Sequence, residues 1–368
     1  MRKVAIIGTG WAERVQIPAF LAAGLDVVGV AGRDKSKTAR IAEAYGVPVA
    51  TTDWRELLTL DCELVSVTSP PWLHAEQALA VLAAGKHLLC EKPLALTAAE
   101  AERMTQAARA RPDLLALVDH ELRFVPARVK AKELIDAGLL GRVLTVTARV
   151  ASDMRIDPDM PYSWWSDAGR GGGILGAIGS HVLDGIRWLL AESCGKITVA
   201  GGALGVVYSE RKDKSGKPRQ VTADEIISAS FTMGEAVGTL LIHGAALTET
   251  VDTLFIRGTE GTLVIDTSLK LYVSKGKRPL KEYVSPLPGT VPYRFRSSPF
   301  AAGTVLLGRA LAEAPAEDPW REGLALRRAA TLEDGLAVQR LIDEIRAFAA
   351  RARGREAVQG EPVQGEPG

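Results

Sequence analysis

Val4-Ala5-Ile6-Ile7 is apolar at every position, the pattern of a parallel strand buried on both faces. Further strands are expected at Asp26–Ala31, Leu64–Thr68, Lys86–Cys90 and Leu114–Val118. Helical patterns lie between them. One opens at Trp11-Ala12-Glu13-Arg14-Val15-Gln16, and a second runs from His74 to Ala84 and stops at Gly85, a usual C-terminal residue. A third begins at Thr97 with Glu100 three residues on, a capping box. Strand and helix alternate to about residue 120, which predicts an α/β unit, a doubly wound parallel sheet.

After Asp119-His120-Glu121 the pattern changes. A helix carrying Val125, Val129 and Leu134 runs to Gly138. Strands at Leu144–Ala151, Lys196–Ala200, Ile226–Thr232, Ala236–His243, Thr253–Gly258, Thr262–Asp266 and Lys270–Ser274 then follow with few helices between them. Such crowding predicts an α+β domain with an open, mostly antiparallel sheet. Between its first two strands lie Trp164-Trp165, then Gly171-Gly172-Gly173 and a helix over Ile174–Leu190. Asp213–Arg219 reads as a charged hairpin tip. A closing amphipathic helix over Thr331–Ala350 places Leu341, Ile342, Ile345 and Phe348 on one face, as core or interface. The resulting division is 1–122, 123–352 and a tail, 353–368, whose repeated Val-Gln-Gly-Glu-Pro is expected to be disordered.

Composition narrows the class. The 368 residues suit two domains, and 47% apolar residues are ample for their cores. A net charge of +1 supplies no field to attract nucleic acid or an anionic membrane. The N-terminal apolar run is too short for a signal peptide, and no stretch reads as a membrane span. Cys62, Cys90 and Cys194 are scattered and lack metal-ligand spacing, so no metal site is expected and a reduced, cytoplasmic setting is.

Chemistry collects at strand ends. Gly8-Thr9-Gly10 between a strand and a helix has the form of a phosphate-binding turn, so Gly8, Thr9, Gly10, Trp11 and Ala12 are expected to carry a dinucleotide, with a tight turn without ligand as the structural alternative. Glu13 occupies the third glycine position of that motif, where close helix–strand packing favours a small residue. The second strand ends in Gly32-Arg33 rather than an acid. A guanidinium can pair with a 2′-phosphate, so NADP(H) is favoured, with NAD open because Asp34 is adjacent and with a solvated loop as the structural alternative for Arg33 and Lys37. The third strand ends in Ser69-Pro70-Pro71, and the Lys86–Cys90 strand ends in Glu91-Lys92-Pro93, where a ligand would lie.

The whole arrangement resembles the oxidoreductases named after glucose–fructose oxidoreductase, inositol dehydrogenase and a rhizopine-catabolism protein (Gfo/Idh/MocA). Gly8-Thr9-Gly10-Trp11, the segment Ala84–Ala95, Arg123-Phe124-Val125-Pro126-Ala127 and Gly171–Asp184 carry that resemblance. It implies a Rossmann domain for a nicotinamide dinucleotide and a second domain whose helix holds a histidine over the nicotinamide. Lys92 would reach the ribose and the reacting oxygen, its bond to Pro93 would be cis, and His181 would be the acid/base. His74 and Trp165 would lie near the cofactor, with capping and cleft-plugging as their structural alternatives; His120 would border the site. Relatives commonly carry an aspartate four residues before the histidine, where this chain has Ala177. The implied activity is hydride transfer between nicotinamide and a sugar, cyclitol or related alcohol. Cofactor-assisted glycoside cleavage and a non-catalytic dinucleotide-binding regulator are the alternatives. Relatives also imply a homodimer or homotetramer.

Overall fold

The computed structural model describes residues 2–247, 251–266, 270–315 and 324–359. The strands of the N-terminal half are β1 (Lys3–Ile7), β2 (Asp26–Ala31), β3 (Val49–Thr51), β4 (Leu64–Val67), β5 (His87–Cys90) and β6 (Ala116–Val118). They form a parallel sheet in the order β6-β5-β4-β1-β2-β3. Side chains of β1 alternate between two cores. Val4 and Ile6 pack with Ile17 and Phe20 of the following helix, while Ala5 and Ile7 pack with Val65, Ala78 and Met104 on the opposite face. Burial on both sides is why these strands read as unbroken apolar runs.

The second half holds β7 (Val143–Ala151), β8 (Ile197–Gly205), a small hairpin of β9 (Glu210–Lys212) and β10 (Pro218–Gln220), and then β11 (Ile226–Met233). β12 (Ala236–His243), β13 (Val251–Gly258), β14 (Gly261–Asp266), β15 (Leu271–Lys275) and β16 (Lys281–Tyr283) complete it. Eight of these make one sheet, β16-β15-β14-β13-β7-β12-β11-β8, in which only β7 and β12 run parallel. Its inner face packs on Leu183, Ile186 and Leu190 of the helix Ser180–Cys194. Its outer face is uncovered, with Val237 57% and Leu241 43% exposed.

Two features differ from the sequence reading. The chain returns to the first domain well before its end. The helix Pro299–Glu313 buries Leu307 and Leu311 against the β1 core, and β17 (Ala330–Thr331) adds antiparallel to β6. The closing helix, Leu332–Gln359, then bridges both units: Leu336 joins the first core, while Leu341, Ile342 and Ile345 join the second. Each such side chain stabilises by about 1.5–3 kcal/mol when fully buried. Residues 123–352 are therefore not one continuous domain. The helix also runs past 352 into the expected tail, and 360–368 lie outside the described residues.

Among the described residues one segment, Ala168–Cys194, is long and apolar enough by composition to cross a membrane, contrary to the sequence reading. Within the fold 72% of its apolar stretch is buried, because its C-terminal part, Ser180–Cys194, is the core helix beneath the second sheet.

Candidate active site

The glycine turn is shaped by its neighbours. Gly8 has φ +127°, and a Cβ there would lie 2.5 Å from the Thr68 carbonyl, so only glycine lets β1 and β4 end this close together. Gly10, by contrast, faces open space. The turn opens into a cavity of about 1130 Å³ between the domains, above the usual range for a single small ligand. Thr68 Oγ1 is buried on its wall without a hydrogen-bond partner among the described residues. A bare backbone turn before a helix, an unpartnered hydroxyl and this volume fit a dinucleotide. Glu13 does not spoil that fit. Its carboxylate turns away to Arg40 (2.7 Å) and Lys37 (3.6 Å), while fully buried Ala12 takes the helix–sheet contact. The third-glycine rule fails here because the helix opens with a π turn, Ala12–Gln16.

The carboxyl ends of β5 and β6 bring five ionisable groups together, Glu91 and Lys92 after β5 and Asp119, His120 and Glu121 after β6. Lys92 follows β5, its bond to Pro93 is cis, and its Nζ donates to the Ala177 carbonyl at 2.9 Å. That carbonyl belongs to a π turn, Leu175–Gly179, at the start of the His181 helix. So the position lacking the relatives' carboxylate still supplies Lys92 with an oxygen. Behind the lysine, buried Gln16 donates through Nε2 to Glu91 Oε1 (3.1 Å) and Asp119 Oδ2 (2.9 Å), and accepts from Ser66 Oγ at 2.8 Å. Burial first, and then the neighbouring acid, pushes Glu91 well above the usual carboxylate range; burial pushes Asp119 up to about 6.

His181 faces this group from the second domain. The residue is 4% exposed, and neither ring nitrogen has a hydrogen-bond partner among the described residues. Phe300 lies 5.0 Å away and His120 5.5 Å away, centroid to centroid. The nearest carboxylate is Glu121, whose unpartnered Oε2 is 4.0 Å from Nδ1. Burial, with Lys92 and His120 adding to it, holds the His181 ring well below the ordinary histidine value. Burial likewise lowers His120 to about 4, and burial followed by Asp119 and Glu91 pushes Glu121 well up. A neutral imidazole beside an ammonium is equipped to take a proton from a hydroxyl whose oxygen the ammonium holds.

Gly8, Thr9, Gly10, Trp11, Arg33, Ser69, Pro70, Glu91, Lys92, Trp165 and His181 all line the cavity. Ala12 and His74 do not. Ala12 is core, and His74 is a buried brace whose Nδ1 meets the Pro93 carbonyl at 3.1 Å and whose Nε2 meets the Ser69 carbonyl at 2.7 Å. It ties the ends of β4 and β5 together from behind the cavity wall, the structural alternative of the sequence reading. Asp184 is occupied elsewhere, in a buried two-pronged pair with Arg123. Sequence reasoning passed over Gln16, Asp119 and Glu121 as members of the site. The last two follow β6, and the strand-end rule that selects Glu91 and Lys92 selects them as well.

Fold and site together have the architecture of a two-domain protein with a Rossmann unit and a cluster of ionisable groups in the cleft between the domains. Residues 2–119 match the model for the oxidoreductase family with an NAD-binding Rossmann fold, and residues 129–264 match the GFO/IDH/MocA C-terminal domain. The chain belongs to the Gfo/Idh/MocA oxidoreductase family. An uncharacterised oxidoreductase of Synechocystis is 32% identical over 238 residues, 64% of this chain and 63% of that protein. Levoglucosan dehydrogenase of Pseudarthrobacter phenanthrenivorans is 34% identical over 189 residues, 51% of this chain and 47% of that enzyme. The aligned part thus spans about half to two thirds of these relatives. A solved levoglucosan dehydrogenase in complex with NADH and L-sorbose superimposes with TM-score 0.80 at 25% identity, covering 95% of this chain and 97% of that one.

Proposed function

We propose that this protein is a dehydrogenase moving a hydride between NADP(H), or less readily NAD(H), and a carbinol carbon of a sugar-like substrate. One observation carries the reading: Lys92 and His181, from different domains, share the wall of a cavity whose other end is the glycine turn. The bound nicotinamide supplies a hydride acceptor. Lys92 holds the substrate oxygen, and the neutral His181 ring takes its proton as the carbon is oxidised. Lys92 can bind and orient without leaving the Ala177 carbonyl, since an ammonium has three donors. Likeness to enzymes named for levoglucosan supports a sugar-like substrate. Titration with NADPH and NADH, followed by a sugar and cyclitol screen at the reduced-nicotinamide absorbance, tests the reading. Binding of neither nucleotide would overturn it.

The preference for the 2′-phosphate is supported by how the loop after β2 is used. Asp34 caps the helix Lys35–Tyr45, its carboxylate accepting from Lys37 N at 2.9 Å, and does not line the cavity. Arg33 and Lys37 do, and Arg33 has no hydrogen-bond or ion-pair partner among the described residues. Arg33→Ala is expected to weaken NADPH about tenfold or more and leave NADH nearly unchanged. An unaltered NADPH/NADH ratio in fluorescence titration would refute the preference. A homo-oligomer built on the uncovered sheet face is part of the same reading. Light scattering is expected to give a dimer or tetramer, with Leu241→Glu shifting it toward monomer; a monomeric parent protein would end that idea.

A further inference from the structure

The second domain's wall of the cavity carries a charge that the proposed reaction does not use. Arg155 lines the cavity, and its side chain is only 7% exposed. Its backbone is pinned on both sides: its N–H donates to the Gly244 carbonyl at 2.7 Å, and its carbonyl accepts from Arg211 Nη2 at 2.7 Å. Arg211 is fully enclosed and also donates to the Asp157 carbonyl (2.7 Å) and to Glu225 Oε1 (3.1 Å). Glu225 is further supplied by the backbone N–H groups of Val207 and Tyr208. One buried carboxylate therefore serves two buried guanidiniums, and Arg211 holds the shorter contact.

What remains for Arg155 is poor compensation. Its Nε reaches Glu225 Oε1 at 3.3 Å, Nη2 donates to Ser166 Oγ at 3.0 Å, and Nη1 meets the Met160 thioether at 2.9 Å. A hydroxyl is neutral, and a thioether is a weak acceptor. Burial and the Arg211 charge both press against the charged form of Arg155. A buried charge is costly unless it is paired. Within this contact cluster, two guanidiniums against one carboxylate leave a surplus of one positive charge. The remaining cations of the cavity are placed elsewhere: Arg14, Arg33 and Lys37 stand by the glycine turn, and Lys92 is at the reacting centre. Arg155 also sits on the substrate side. Its partner Ser166 adjoins Trp165, whose carbonyl accepts from Gly173 N at 3.2 Å just before the His181 helix.

We propose that the substrate is an acid, a polyhydroxylated sugar carboxylate whose anionic group Arg155 holds while its reacting hydroxyl lies at Lys92 and His181. This rests on the dehydrogenase reading for the reaction, but the anion site stands on its own geometry. A carboxylate carries the single negative charge that the surplus calls for, and its planar pair of oxygens matches the guanidinium fork. A phosphate monoester brings nearly two charges.

The test is equilibrium binding to the full-length, nucleotide-loaded protein, read by tryptophan fluorescence. Glucuronate, galacturonate and gluconate are compared with glucose, galactose, glucitol and glucose 6-phosphate. At least one acid is expected to bind about ten- to a hundredfold more tightly than its neutral counterpart. Arg155→Met should bring that pair to parity, and Arg155→Lys should restore part of the difference. Should Arg155→Met fail to fold, the wild-type comparison decides alone. The proposal is overturned if no acid outbinds its neutral counterpart, if the preference survives Arg155→Met, or if the phosphate binds most tightly. Acid binding without nicotinamide reduction would defeat the dehydrogenase reading and leave this site standing. Oxidation of neutral sugars with no acid preference would do the reverse.

Discussion

His181→Asn is expected to lower turnover by about 10²–10⁴-fold while leaving nucleotide affinity within a few-fold of the parent protein. Neither ring nitrogen has a hydrogen-bond partner among the described residues, so its loss breaks no hydrogen bond there and should cost little stability. Asparagine keeps a polar side chain at the wall but cannot accept a proton at neutral pH. The pH profile gives a second check with a definite sign. Oxidation needs the neutral imidazole, and burial together with Lys92 and His120 holds this ring well below its ordinary value. The acid limb of kcat/KM should therefore lie below about 6.5, the unperturbed histidine value. Steady-state kinetics and a fluorescence titration of nucleotide measure both. A variant as active as the parent protein would remove His181 from the chemistry; an acid limb at or above 6.5 would show that the ring is not held neutral.

The sequence exposes the parts of this fold that local pattern controls. β1 and β5 are legible because strands buried on both faces are apolar throughout, and β11 and β12 because a half-covered sheet alternates. The helix Pro299–Glu313 is not legible in the same way. Periodicity identifies a buried face and not the partner that buries it, so nothing local tells that Leu307 and Leu311 return to the β1 core. The same gap conceals the double allegiance of the closing helix, whose Leu336 and Ile345 belong to different cores.

At the site the division is similar. Lys92, Glu91 and the glycine turn stand at strand ends, where a rule of topology finds them. Gln16 carries no such mark. A glutamine in a first helical turn reads as surface, and only the convergence of β4, β5 and β6 makes it the amide joining Glu91, Asp119 and Ser66. Glu13 misleads in the other direction, because counting motif positions cannot register a π turn that hands the packing contact to Ala12. Arg155 has no local signature at all. Its surplus charge exists only because Arg211, from a distant hairpin, competes for Glu225.

Lys92→Met is the companion experiment, expected to cut turnover by about 10²–10⁴-fold and also to alter how stability depends on pH. Lys92 is the nearby cation that favours the ionised forms of Glu91, Asp119 and Glu121, each of which burial pushes toward protonation. Removing it raises all three further above their unfolded values. A carboxylate raised on folding holds its proton in the native state, so native stability falls as pH climbs from the unfolded value to the folded one. In the parent protein the Asp119 part of that loss is over by about pH 6. In Lys92→Met the window extends upward, and the melting temperature should keep falling relative to the parent between pH 6 and 8. At pH 5 the two proteins should differ least. Thermal unfolding followed across this range decides the matter. Parallel curves for variant and parent would mean that the lysine does not compensate the acids beneath it, and the electrostatic account of this centre would fail even if turnover were lost.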